Sequence, residues 1–230
     1  MANKRVRTEK NIEMDEFIEI REKSDILLLG VTGGIASGKT TVANMLKDLG
    51  APIIDYDEIS RELVYPGQPA LREIVEYFGN QVLLDDGRLD RNKLAAIVFK
   101  DIDKRKKLES FIHPRIGKVA VGKIHEIRQK NSHAIIQIVV PLLIEVNLQH
   151  QYHKVLLVYI PKAMQVERLI KRDGITREEA AARLKAQLPI DEKVGYADFV
   201  IHNDKTLEDT KKQVEDLWEE LREIQRQRAK

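Results

Sequence analysis

A chain of 230 residues, 43% of them hydrophobic, can bury a full core in one domain with inserted subdomains. With 39 basic residues against 37 acidic ones, its net charge of +2 gives no global field drawing it to nucleic acid or to a membrane surface. Zero cysteines exclude disulfides, thiol catalysis and cysteine-ligated metal, and fit a reducing compartment.

Residues 1–23 carry six basic and six acidic side chains and no apolar h-region, which argues against a signal or transit peptide and leaves the cytoplasm as the expected location. Met14, Phe17 and Ile18 give only a partial apolar stripe, so residues 1–24 are expected to form a peripheral helix or a disordered arm, dispensable for catalysis. The run Ile26 to Val31 reads as a buried strand. It leads into Gly33-Gly34-Ile35-Ala36-Ser37-Gly38-Lys39-Thr40, which fits G-x-x-x-x-G-K-[ST]. Val42, Met45, Leu46 and Leu49 then line one face of a helix that Gly50 can end. Strand, glycine turn and helix N-terminus aim backbone N–H groups and a positive dipole end at one spot. Lys39 adds a charge for the outer phosphates, and the Thr40 hydroxyl can reach Mg²⁺. The loop predicts a nucleoside triphosphate site.

Residues 52–57 read as a short strand, expected beside the P-loop strand, whose end delivers Asp55 and Asp57. One of them is expected to cap the helix starting at Glu58 and the other to act. Residues 58–133 are too long for a simple crossover and read as an inserted helical subdomain. One stripe there is Leu71, Ile74, Val75 and Phe78, closed by Gly79; another is Leu108, Phe111 and Ile112. Further strands are expected at residues 134–140, 155–160 and 199–201, in a parallel sheet covered on both faces. The richest apolar stretch, Ile135 to Ile144, is broken by Gln137 and Pro141 and is too short to span a bilayer. Arg168, Lys171, Arg172, Arg177 and Arg183 crowd a second insertion, where Thr176 and Glu179 offer a capping box. The last helix opens near Thr206 with Val214, Leu217, Trp218 and Leu221 facing inward, and residues 225–230 are expected to fray.

The rest of the chain sorts among P-loop classes. No N-K-x-D guanine reader and no D-x-x-G switch is present, and the length is short for a mechanochemical ATPase. A small phosphoryl-transfer kinase fits, because such enzymes close over two substrates to exclude water, and arginines can neutralise the transferring group. A hydroxyl acceptor would use a carboxylate base; a phosphate acceptor would not. Two other readings stay open at this point: a nucleoside or nucleotide kinase, and a non-enzymatic ATP-binding switch with residues 1–24 as its interaction arm.

Thr32 to Val42, Ile54 to Asp57 with Arg61, and Pro66-Gly67 together resemble the dephospho-CoA kinase family. So do Asp86 to Arg91, Val98-Phe99, Leu108-Glu109 and Ile112-His113-Pro114. The resemblance continues through Val140 to Glu145, Arg168 with Arg172, Gln187 to Pro189, Lys193, and Ala197 to Asn203, in order from about Leu28 to Trp218. It implies transfer of the γ-phosphate of ATP, with Mg²⁺, to the ribose 3′-hydroxyl of 3′-dephospho-CoA. It also implies an α/β P-loop kinase fold, with a mostly parallel five-stranded sheet, a helical substrate-binding insertion and a short arginine-rich lid. The implied division is an N-terminal extension at 1–24, a nucleotide-binding core at 25–57, 134–167 and 194–230, a CoA-binding domain at 58–133, and a lid at 168–193. Gly33, Gly34, Ala36, Ser37, Gly38, Lys39, Thr40 and Thr41 would hold ATP, with Thr40 on the metal and Asn203 at the adenine pocket. Asp57 corresponds to the general base, with Lys39 and Arg172 as the other catalytic groups. Arg61, Arg91, His113 and Arg168 would join Asp57 in contacting substrate. A monomer or weak homo-oligomer is expected, without nucleic acid or membrane.

Two departures stand out. Ala36 occupies a position where the family has glycine, which is tolerable at negative φ. Pro141 stands where a metal-binding Asp would close the third strand, so Asp57 or water would serve. Three tempting features read more simply. His150 and His153, at H-x-x-H spacing, are expected to be solvent-exposed; Lys104 to Lys107 to form a solvated helix face or a shallow basic surface; and His113, before Pro114, to cap a helix or contact substrate.

Overall fold

The computed structural model describes the backbone of residues 9–228 and the side chains of residues 16–228. The elements run α1 (Glu9–Lys23), β1 (Leu27–Gly33), α2 (Lys39–Asp48), β2 (Ile53–Asp55), α3 (Tyr56–Glu62), α4 (Pro69–Phe78), α5 (Arg91–Val98) and α6 (Ile102–Lys130). They continue with β3 (Ile135–Val139), β4 (Lys154–Tyr159), α7 (Lys162–Asp173), α8 (Arg177–Lys185), α9 (Ile190–Lys193), β5 (Phe199–His202) and α10 (Leu207–Arg228). The chain divides into two compact units. One takes Tyr56–Lys123 with the described residues up to Phe17; the other takes Ile18–Asp55 and Ile124–Lys230.

The second unit is built on a five-stranded sheet in the order β2-β3-β1-β4-β5, with every pairing parallel. This corrects one expectation: β2 lies beside β3, which separates it from β1. β1 and β3 are buried along their whole length, as suits interior strands, whereas three-residue β2 sits at an edge. Gln137, the polar residue inside β3, is buried; its Nε2 donates to the carbonyls of Ala43 (2.8 Å) and Ala51 (2.9 Å), which pins α2 to the sheet. Val42 and Leu46 of α2 and Val214, Leu217 and Leu221 of α10 meet Leu27, Leu29, Val31 and Leu156 in one apolar core.

The periphery departs from expectation in two places. Gln225 is buried and donates to the Asp25 carbonyl (3.2 Å), and Arg228 donates to that of Arg21 (3.1 Å), so α10 stays ordered to Arg228 instead of fraying from Gln225. In α1 it is Phe17 and Ile20 that are buried; Met14 lies outside the described side chains, and residues 1–8 and 229–230 lie outside the described backbone.

The first unit is helical. Ala70, Leu71, Ile74 and Phe78 form the buried stripe of α4, which ends at Gly79 (φ +85°). Val82 and Leu94 complete that core, and Arg115 of α6 pairs with Glu73 of α4 at 2.6 Å. α6 runs without a break through Pro114, so His113 does not cap a helix. In the basic run, Lys104 pairs with Asp101, Arg105 with Glu109, and Lys107 lies 4.8 Å from the Phe111 ring centroid: a solvated helix face. Among the described residues no helix is long and apolar enough to cross a membrane.

Candidate active site

β1 delivers the chain into the P-loop at the carboxyl edge of the sheet. A methyl group on Gly33 would stand 2.6 Å from the Val158 carbonyl oxygen, so only glycine fits against β4. Gly38 has φ +88°, and a methyl group there would meet Asn203 Nδ2 at 2.1 Å. α2 starts at the next residue with no side-chain cap, leaving its first N–H groups for an anion. Lys39 Nζ donates to the carbonyls of Gly33 (3.1 Å) and Gly34 (3.0 Å), folding its charge along the loop, and Thr40 and Thr41 are exposed at the helix start. The condition under which a methyl group at residue 36 is readily tolerated, negative φ, is not met: φ at Ala36 is +59°, a left-handed conformation that costs a residue with a Cβ about 1–2 kcal/mol.

Asn203 braces this loop. Its Nδ2 donates to the Ser37 carbonyl (2.8 Å), its Oδ1 accepts from Thr210 Oγ1 (3.0 Å), and its own carbonyl accepts from Arg168 (2.9 Å). Arg168, Asn203 and the P-loop are therefore one connected group. Arg172 has a different partner. One turn further along α7, it is exposed and forms two hydrogen bonds to Asp173 (2.7 and 3.1 Å), which also binds Arg183 at 2.6 Å. The Asp173 hydrogen bond raises the Arg172 pKa; reciprocally, the two arginines, Arg172 first, lower that of Asp173. The Thr176 capping box forms as its sequence predicts.

Four further side chains hold the P-loop and the loops around it. Gln165, buried on α7, donates to the Ile35 carbonyl at 3.0 Å, and Gln187 Oε1 accepts from Ile35 N–H at 3.2 Å. Glu145, after β3, accepts from Leu188 N–H at 3.2 Å and lies 2.6 Å from Nζ of fully buried Lys193. Gln187, Glu145 and Lys193 entered the sequence reading only as matching letters, and Gln165 not at all. The available signal was its place among the apolar residues Val166 and Leu169, where a buried carboxamide must find partners.

Asp55, the last residue of β2, belongs to the sheet unit; helix α3, in the other unit, begins at Tyr56, two residues earlier than expected. Exposed Asp57 therefore lies in the first turn of α3, where a carboxylate complements the helix dipole. Arg91, at the start of α5, is within electrostatic range of Arg61, Tyr65 and Asp57. Partial burial and the Arg61 charge lower its pKa, while Tyr65 and Asp57 oppose that shift. Two guanidinium groups and a carboxylate are thus gathered on one unit. His113 is exposed on α6. His153 departs from the reading as a solvent-exposed histidine: it is largely buried, its Nδ1 accepting from Leu28 N–H and its Nε2 facing the Arg21 carbonyl, both at 2.8 Å. His150 is exposed, as expected.

A family model described as dephospho-CoA kinase matches residues 27–209, which takes in the P-loop, Asp57, both insertions and Asn203. The chain belongs to the dephospho-CoA kinase family. The dephospho-CoA kinase of Geobacter metallireducens is 46% identical over 195 residues, covering 85% of this chain and 96% of that one. That of Shouchella clausii is 45% identical over 188 residues, covering 82% and 95%. A solved structure of the dephospho-CoA kinase from Campylobacter jejuni matches at 29% identity with a TM-score of 0.65, covering 86% of this chain and 98% of that one. A crystal structure from Thermus thermophilus matches at 32% identity with a TM-score of 0.71. α1 lies outside the part matched by the family model.

Proposed function

We propose that the chain transfers the γ-phosphate of ATP to the ribose 3′-hydroxyl of 3′-dephospho-CoA, giving coenzyme A and ADP. The observation that carries this reading is the family match running unbroken through a P-loop whose anion-receiving backbone is braced on both sides. The P-loop amides and Lys39 hold the outer phosphates, Lys39 exchanging the Gly33 and Gly34 carbonyls for phosphate oxygens. The ribose oxygen attacks the γ-phosphorus, its proton passes to Asp57, and the bond to the β-phosphate oxygen breaks as ADP leaves. Arg168, fixed by the Asn203 carbonyl, adds positive charge beside the loop, and Arg172 joins it on release from Asp173. Arg61, Arg91 and His113 contact the anionic substrate.

Mg²⁺ is part of this reading. Thr40 offers an exposed hydroxyl at the start of α2, and Mg²⁺ commonly takes one or two protein ligands together with substrate phosphates. The residues present suit a phosphate-shared ion. When bound, it neutralises charge on the β- and γ-phosphates. The protein works in the cytoplasm as a monomer or weak homo-oligomer, without nucleic acid or membrane. A coupled ADP-release assay with dephospho-CoA, adenosine and AMP side by side tests the proposal. Release driven by dephospho-CoA alone is expected; release driven by AMP and not by dephospho-CoA would overturn it.

A further inference from the structure

Three features converge on two adjacent residues of the P-loop, Ile35 and Ala36. The N–H of Ile35 is held by Gln187, just beyond α8, and its carbonyl by Gln165 of α7. The next residue, Ala36, sits at φ +59°, which a methyl-bearing residue keeps only where its surroundings over-determine it. The side chains of both residues pack onto Val166, Leu169 and Ala180, between α7 and α8. Gln187 is fixed in turn. The N–H of Leu188 donates to Glu145, and the same carboxylate oxygen holds the ammonium of Lys193. The loop after β3 thus anchors the foot of the α7–α8 segment, and that foot grips the tip of the P-loop.

We propose that Gln187 is a positioning residue for the nucleotide: its carboxamide holds the strained loop tip in its anion-receiving shape, so ATP affinity depends on it while residue 36 carries a methyl group. The proposal rests on the reading of the loop as the ATP site. It differs from a merely structural hydrogen bond in one consequence. Glycine reaches positive φ without being held, so the dependence on Gln187 disappears when Ala36 is replaced by glycine. An ordinary stabilising contact would cost the same in either background.

The experiment compares Gln187→Met, alone and together with Ala36→Gly, against wild type and Ala36→Gly. Binding of a non-hydrolysable ATP analogue is measured by calorimetry, with kcat, KM for dephospho-CoA and Tm alongside. Gln187→Met is expected to weaken analogue binding about 3- to 10-fold, the scale of one lost hydrogen bond, and to leave KM for dephospho-CoA within about twofold. In the Ala36→Gly background the loss should shrink below about twofold, a rescue that additive effects would not give. Equal losses in both backgrounds, or unchanged affinity in both, would overturn the proposal. Should Gln187→Met fold poorly, Gln187→Asn, polar but one methylene too short to reach Ile35, carries the same comparison. A wild-type chain unable to bind the analogue would remove the ATP reading as well, whereas wild-type binding with indifferent variants removes the tether alone.

Discussion

Protonating His153 should loosen the protein in mild acid. Its Nδ1 accepts the Leu28 N–H, which fixes the ring proton on Nε2, where it donates to the Arg21 carbonyl. A second proton would have to go on Nδ1, facing another donor. Burial pushes the pKa down from 6.5 to about 4; the Arg21 carbonyl pulls upward, and the charges of Arg228 and Arg21 press it down again. Between pH 6.5 and 4 the unfolded chain therefore binds more protons than the folded one. The contribution is complete above about pH 6.5 and is lost progressively as pH falls towards 4. The full linkage is about 3 kcal/mol, and the partial solvent access of the ring reduces this to about 2. His153→Gln keeps an acceptor and a donor but cannot charge, so it provides the reference. Urea unfolding of both proteins at pH 7, 5.5 and 4.5 should show wild type losing about 2 kcal/mol relative to the variant, a Tm difference of about 4–8 °C. A stability difference that stays flat across that range would refute the reasoning, because carboxylates titrate equally in both chains.

Lys39→Ala should lower kcat/KM by at least about 100-fold, a loss of about 3 kcal/mol of transition-state stabilisation; near-normal turnover would show that the loop is not the catalytic phosphate site. Asp57→Asn should lower kcat by roughly 10²–10⁴-fold with ATP affinity kept, and Asp55→Asn far less, if Asp57 is the base. Relief of the Asp57→Asn defect by raised Mg²⁺, with weakened ATP binding, would assign it to the metal instead. Removing residues 1–24 takes away buried Phe17 and Ile20 and the Arg21 carbonyl used by His153 and Arg228, so Tm should fall by about 6–12 °C, in contrast to a dispensable arm. A truncated chain melting within about 2 °C of wild type would show that α1 contributes nothing to the core.

What was legible beforehand was what neighbouring residues decide among themselves. The P-loop, the α4 stripe ending at Gly79, the Thr176 capping box and the inward face of α10 all depend on spacings of a few positions. The strand order did not follow from such spacings. β2 shows the same apolar letters whether it pairs with β1 or β3, and the choice rests on a register set across more than eighty residues. His153 was misread for a related reason. Its burial comes partly from the α1 end, whose docking onto His150 and the α10 terminus no local periodicity announces.

The candidate site divides along the same line, and the division is chemical. Lys39, Thr40 and Asp57 were legible because each offers a charge or hydroxyl of its own within a short motif. The carboxamides were not, because an amide side chain means nothing until its partner is known, and here each one has a partner in distant backbone. Gln137 reaches Ala43 across 94 positions, Gln165 reaches Ile35 across 130, Gln187 reaches Ile35 across 152 and Asn203 reaches Ser37 across 166. Asn203 shows the consequence. Family resemblance placed it at the adenine pocket, yet both ends of its carboxamide are engaged, one on the P-loop and one on Thr210. That carboxamide therefore ties the P-loop to α10. Glycines give the P-loop its freedom, and these amides remove that freedom again in one conformation, tightly enough that Ala36 is carried at a φ that glycine would normally occupy.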